Sequence, residues 1–213
     1  MNGSFTTTQI ISKEGWCGII TAFVLFLLAV WMDFAVVFMF FVLFFLLFIY
    51  RNPERIAAED DPLAIIAPID GKITAVKSIE TKDGKFLYAS IRSLPFDVSI
   101  IRSSVSAKLI NTKITHGLFL PPHKKEAKSL NERLEINCTF YNLPFSMRII
   151  AGVFARKIHF AKSKGFLKSG ERIAFVTDGI VELFLPYDSR LKLSIGDYVK
   201  GGESVIGYFS YKI

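Results

Sequence analysis

WCGIITAFVLFLLAVWMDFAVVFMFFVLFFLLFIY, residues 16–50, is the stretch around which the rest of the chain is arranged. In these 35 residues Asp33 is the only charge, and Phe, Leu, Val, Ile, Met and Ala take almost every other place. As one helix rising about 1.5 Å per residue the run would reach roughly 52 Å, well beyond the ~30 Å hydrocarbon core of a bilayer. It must therefore fold back, and Trp31-Met32-Asp33-Phe34 is the place for the connection, where a carboxylate and aromatic rings suit the headgroup level. The two legs, residues 16–31 and 34–50, each reach only about 25 Å, so a shallow or re-entrant hairpin stands beside a full crossing. Lys13 precedes the first leg, and Arg51 and Arg55 follow the second. Both basic flanks then fall on one side, which positive-inside bias makes cytoplasmic. A buried hairpin of a soluble protein is disfavoured, because the 163 residues after Tyr50 are too few to wrap two helices apolar all round. Nor do residues 38–48 resemble the end of a signal peptide, which needs small residues after a short apolar core.

Outside this stretch the chain is basic. Residues 51–213 carry 25 Lys and Arg against 17 Asp and Glu, a net +8. A domain already held at a membrane meets an anionic leaflet, where each basic group is worth about 1 kcal/mol. The expected partner is therefore an anionic phospholipid membrane and not nucleic acid, for which no zinc knuckle, arginine-rich run or RNA-binding signature is present. No metal site is read from the sequence. Cys17 lies in the first apolar leg and Cys138 is alone in the domain, which rules out a disulfide within the domain and suits a reducing compartment.

The chain divides into a tail, residues 1–15, a membrane hairpin, residues 16–50, and one domain, residues 51–213. Pro53 ends the second leg. Residues 65–76 predict two short strands around the Asp70-Gly71 turn, and Lys82-Asp83-Gly84-Lys85 repeats the device. Further strands are expected over residues 86–92, 97–101, 131–140, 145–153, 173–176 and 181–185. Residues 116–130, with Pro121-Pro122 and a lysine-rich patch, predict a surface loop leading to a short turn and a candidate binding loop. Residues 167–173 and 199–207 resemble each other, each a basic turn feeding an apolar strand. With turn signals every 8–15 residues the fold class is mainly β (α+β), a barrel or sandwich behind a helical hairpin.

Taken in order, these pieces resemble the small bacterial membrane-anchored phosphatidylserine decarboxylases over nearly the whole chain. An Arg-Asn-Pro-x-Arg ending of the hairpin is matched by residues 51–55, and an early Pro-x-Asp-Gly by Pro68-Ile69-Asp70-Gly71. Phe96-Asp97-Val98 with Arg102 looks like the family's Phe-Asn/Asp-Val strand and its subsequent Arg. Gly117-Leu118-Phe119 running into Asn131-Glu132-Arg133 is similar to its Gly-x-Phe loop. Residues 151–158 resemble its Ala-Gly-x-x-Ala-Arg-x-Ile block, and Gly170-Glu171-Arg172-Ile173 and Gly201-Gly202-Glu203 match the ending. The resemblance implies a bacterial inner membrane, with the domain on the cytoplasmic side, and a role in phosphatidylethanolamine biosynthesis.

The resemblance also implies pyruvoyl chemistry, the cofactor being made when the proenzyme cuts its own backbone at a Gly-Ser step. Loss of CO₂ from an α-carbon leaves a carbanion, and a Schiff base to the pyruvoyl carbonyl is the electron sink for it. This sequence departs from that pattern. Between Gly-Glu-Arg and the strand ending in Leu-Pro it reads Ile173-Ala174-Phe175-Val176-Thr177-Asp178-Gly179-Ile180-Val181-Glu182, with no Ser. The segment is also shorter, so the missing Ser falls on Asp178 or Ile180, either side of Gly179. Thr177 is the one hydroxyl close by, but it lacks a preceding Gly and would yield a longer keto acyl group. Ser99 stands where the family has a His, removing a proton carrier. No cofactor is expected.

Asp97 is a candidate base, weighed against a turn cap or a pairing with Arg92 or Arg102. A lipid-binding set is expected in and around the 116–130 loop: His116, His123, Lys124, Lys125, Lys128, Arg133 and Arg156. Arg133 and Arg156 suit phosphate or carboxylate by bidentate geometry, against structural pairing with Glu132 or Glu171. His159 reads as structural. The favoured function is a relative whose own reaction centre has lapsed, keeping a lipid headgroup pocket or a regulatory contact with an active paralogue, or with a second copy in a homo-oligomer. The alternatives are an active decarboxylase with an atypical cleavage position, and a lipoyl-like barrel-sandwich adaptor suggested by residues 195–203.

Overall fold

The computed structural model describes residues 10–59, 61–81, 84–155, 157–161 and 165–210. The chain separates into two compact units, Met1–Glu54 and Arg55–Ile213.

In the first unit a single 3₁₀ turn, Lys13–Gly15, leads into α1 (Trp16–Trp31), and α2 (Val36–Ile49) comes after a tight reversal. Asp33 and Ala35 supply that reversal with φ of 51° and 56°. At the open end the Ser12 N–H donates to the Tyr50 carbonyl at 2.9 Å and the Asn52 N–H to Ile10 at 2.7 Å. Gly15 lies so close to the Tyr50 ring that a Cβ would come within 2.3 Å of it. Phe and Leu side chains stay exposed all around both helices, the pattern of helices that face lipid. Residues Lys13–Trp31 are long and apolar enough to cross a membrane, while α2 is shorter. The predicted second leg loses Phe34 and Ala35 to the turn, since a reversal this tight consumes four residues. The first unit extends four residues past the hairpin's Tyr50, and the Arg51 guanidinium caps α2 through the Phe48 carbonyl at 2.9 Å.

The second unit contains β1 (Ala64–Ile66), β2 (Gly71–Thr81), β3 (Gly84–Ser93), β4 (Ile100–Arg102), β5 (Ala107–Thr115), α3 (Ala127–Leu130), β6 (Arg133–Phe140), β7 (Leu143–Ala151), β8 (His159–Phe160), β9 (Phe166–Leu167), β10 (Arg172–Phe175), β11 (Gly179–Pro186), β12 (Arg190–Leu191), β13 (Tyr198–Val199) and β14 (Val205–Tyr208). Eight strands form a curled antiparallel sheet in the order β13-β2-β3-β11-β7-β6-β5-β9. Two three-stranded sheets, β1-β14-β12 and β4-β10-β8, complete the domain. Strict alternation drives the large sheet. In β6, Leu134, Ile136, Cys138 and Phe140 point into the core while the residues between them face outward. They share one core with Val181, Leu183 and Leu185 of β11 and Phe145, Met147 and Ile149 of β7. Ile65, Ile101, Ile173 and Ile206 from the small sheets belong to the same core.

The mainly β expectation holds, and so does the second hairpin: β2 and β3 pair with Thr81 opposite Gly84, Lys82 and Asp83 lying outside the described residues. The first predicted hairpin does not form. β1 pairs with β14, and β2 with β3 and β13, so Asp70-Gly71 passes the chain from one sheet to another. Asp-Gly permits a sharp turn, but the strand leaving that turn pairs with whichever strand edge is free. Gly71 has a second task, since a Cβ there would lie 2.2 Å from the Arg92 carbonyl.

The register of the long strands defines one end of the large sheet, the front. Gly179 is opposite both Ser93 and Ala151, Lys72 is opposite Arg92, and Arg133 is opposite Ile150. The ends of β3 and β7 and the starts of β2, β6 and β11 therefore share the front.

Candidate functional site

Residues 176–178 carry the chain from β10, in a small sheet, to β11, at the centre of the large one. The Val176 N–H donates to the Ser99 carbonyl at 2.9 Å, which brings Ser99 to this crossover. Asp178 is the next buried polar residue, its side chain 2% exposed. Its carboxylate lies 3.0 Å from Arg92 Nη2 and accepts the Phe154 N–H at 3.3 Å. Room for it comes from Gly152, where a Cβ would fall 2.2 Å from Asp178 Oδ2. The site is unevenly satisfied: Asp178 Oδ1, Arg92 Nη1, Ser93 Oγ and Ser99 Oγ are all buried without a hydrogen-bond partner among the described residues. The Arg92–Asp178 approach is thus an ion pair lacking hydrogen-bond alignment. Burial dominates the Arg92 guanidinium and lowers its pKa despite Asp178. Gly179 is packed edge-on to β7, and a Cβ there would sit 2.3 Å from the Ile150 carbonyl.

Asp97, the candidate base, closes a turn, accepting the Leu94 N–H at 2.8 Å through one oxygen and the Tyr198 hydroxyl at 2.7 Å through the other. It takes the turn-capping role, with Tyr198 as its partner instead of Arg92 or Arg102. Burial and then Asp97 raise the Tyr198 phenol. Ser99, Asp178 and Gly179 are brought together, and the 116–130 loop leaves the same end of the sheet, where Asn131 at its close donates through Nδ2 to the carbonyl of Ala151, the partner of Gly179, at 2.8 Å. There His116 Nδ1 lies 3.0 Å from Glu132 Oε2, and the other oxygen of that buried carboxylate accepts the Ile158 N–H at 2.8 Å. His123, Lys124 and Lys125 are exposed. Lys128 is half-exposed, and its ammonium reaches Glu182 Oε1 at 2.7 Å and the Tyr88 hydroxyl at 3.0 Å. Arg133 pairs with neither Glu132 nor Glu171, because the strand's alternation turns it to the outer face beside Glu135, 3.8 Å away, and it donates to the Ser129 carbonyl at 2.6 Å. Arg156 lies outside the described residues. His159 meets the edge of the Phe175 ring, centroids 6.4 Å apart.

Three polar groups were not foreseeable from sequence patterning alone. Glu182 is a buried carboxylate gathering Lys128, the Tyr88 hydroxyl at 2.5 Å and Arg148 at 3.5 Å. A lone charge inside the apolar run of β11 was its available signal. Asp70 binds the Arg55 guanidinium through both oxygens and accepts the Gly201 N–H at 2.8 Å. Arg92 carried no signal beyond being basic in a strand.

Residues 41–207 match the sequence model of the family described as Phosphatidylserine decarboxylase. This chain belongs to the phosphatidylserine decarboxylase family. Among its relatives, a phosphatidylserine decarboxylase proenzyme of Desulfotalea psychrophila is 32% identical over 76% of this chain and 78% of its own. One of Carboxydothermus hydrogenoformans is 31% identical over 93% and 96%, and one of Chlorobium chlorochromatii 29% identical over 97% and 99%. In this phosphatidylserine decarboxylase-family member, residues 176–178 form the crossover between β10 and β11. Of its first unit, one apolar helix has the length and composition for membrane anchoring.

Proposed function

We propose that this protein is a phosphatidylserine decarboxylase-family membrane protein of phospholipid metabolism that does not form its own pyruvoyl centre, and acts as a lipid-binding or regulatory relative. The observation that carries the reading is at the start of β11. No Ser stands between Gly170 and Pro186, Asp178 is buried against Arg92, and Gly179 has no space for a side chain. These residues do not fit a pyruvoyl group, so no reaction step is assigned to one. The proposed setting is a bacterial inner membrane, with the domain on the cytoplasmic side and anionic phospholipid beneath it. An active paralogue or a second copy of the chain is the proposed protein partner.

Intact mass spectrometry of the purified chain tests this. One species at the full 24.0 kDa is expected. Two fragments, the second blocked by a keto acyl group at a residue from 176 to 182, would overturn the reading and make the protein an active decarboxylase.

A further inference from the structure

We propose that the front of the large sheet is a bilayer-contacting surface, on which the β3–β4 and β7–β8 loops insert Leu94, Phe96, Val153 and Phe154 among the acyl chains. All four are exposed, Phe96 by 61% and Phe154 by 66%. Isolated exposed apolar residues are ordinary, but these form two pairs on neighbouring loops. The loops leave the sheet at Ser93 and Ala151, the residues on either side of Gly179, which strand spacing sets roughly 10 Å apart.

Neither loop holds its side chains outward by default. Asp97 closes the first through the Leu94 N–H and Tyr198, and the Ala155 N–H closes the second on the Gly152 carbonyl at 3.3 Å. Asp178 ties their roots together, pairing with Arg92 beside the first and accepting the Phe154 N–H in the second. Hydrogen-bonded turns that keep two Phe, a Leu and a Val in the open present a preformed apolar surface.

The path of the chain indicates what covers it. Only residues 50–54 separate the end of α2 from Arg55, a link of at most roughly 20 Å. Arg55 is fastened to Asp70, immediately before Gly71, and β2 starts at the front end with Lys72 opposite Arg92. Arg55, the first residue of the domain after the link, therefore stands at the same end of the sheet as the apolar loops. A lipid surface fits this better than a protein partner, which would have no reason to be confined to the tethered end. The inference rests on the proposed membrane anchoring and is independent of the state of the reaction centre.

The full chain, reconstituted in phosphatidylcholine vesicles, supplies the test. Cys17 is exposed in α1 and Cys138 is buried, so an environment-sensitive thiol fluorophore on the native chain reports Cys17. In a Cys17→Ser background, Phe96→Cys and Phe154→Cys report the front, and Tyr141→Cys, 78% exposed at the opposite end, is the control. Lipids brominated along the acyl chain should quench labels at 17, 96 and 154 at least twofold and leave the label at 141 unchanged, with aqueous iodide giving the reverse. Labels at 96 and 154 that behave like the one at 141 while Cys17 is quenched would overturn the inference and leave anchoring intact. Labels at 96 and 154 shielded from both quenchers would overturn it in favour of a protein cover. An unquenched Cys17 would overturn the anchoring and this inference together.

Discussion

Two buried Asp–Arg pairs stand at the same end of the same sheet, and they are built differently. Asp70 is complete. Both its oxygens take Arg55, one also takes the Gly201 N–H, and Arg55 in turn donates to the Gly201 carbonyl at 3.0 Å. Burial lowers the Arg55 pKa, but the hydrogen bond and charge of Asp70 outweigh it and the net shift is upward. In the Asp178 pair the balance reverses: burial outweighs the carboxylate, and an oxygen and a guanidinium nitrogen remain without hydrogen bonds among the described residues. A complete pair is what a fold needs to join its first residues to its last turn. An incomplete one, beside two buried serine hydroxyls, marks a place shaped for something other than its own stability.

Matched substitutions give the largest contrast. Asp70→Asn should destabilise the domain by about 3–5 kcal/mol, since it leaves Arg55 buried without its counter-charge. Urea unfolding of the full chain in detergent, monitored by near-ultraviolet circular dichroism, measures it. Gly179→Ser should cost about 1–3 kcal/mol, because the new Cβ must push the Ile150 carbonyl away. The variant should still give a single intact mass, because Asp178 and not a Gly precedes the new Ser. Self-cleavage by this single change would show that the site retains its chemistry. Asp178→Asn should cost only about 1 kcal/mol, the net worth of a modest polar contact. A loss equal to that of Asp70→Asn would erase the distinction between the two pairs.

Alkaline pH sharpens the comparison through a third buried carboxylate. Burial raises the Tyr88 phenol, helped by Glu182. For Lys128 burial acts downward, but the hydrogen bonds to Glu182 and Tyr88 prevail and the net shift is upward. Raised folded values mean that this stabilisation is fully present below the unfolded values near pH 10 and is lost as pH rises through the folded ones. Lys128→Gln should therefore flatten the fall in stability above pH 10, and an unchanged slope would show that the Glu182 cluster does not contribute to it. The smallest effect concerns the exposed lysines. Charge reversal at Lys124 and Lys125 should weaken co-sedimentation of residues 51–213 with anionic vesicles. The difference from the unmodified domain should shrink as salt brings the screening length to about 8 Å. A salt-independent difference would assign these side chains a role other than surface charge.

The apolar helical hairpin, the β-rich domain, the family and the absence of a Ser between Gly170 and Pro186 were all legible in the linear sequence. Each rests on local patterning: a charge-poor run of 35 residues, period-two alternation as in β6, and short motifs in a fixed order. The partners of the polar residues were not legible, because sheet register sets them across long separations. Asp97 meets Tyr198 across 101 residues, and Lys128 meets Glu182 across 54. The Asp70-Gly71 turn was visible, but the strand it feeds was chosen by the free edges of β3 and β13. The sequence by itself determined that no Ser stands between Gly170 and Pro186. Only the tertiary structure decided that Arg92 stands beside the Asp178 carboxylate and the Ile150 carbonyl against Gly179, since both contacts come from strands that flank β11.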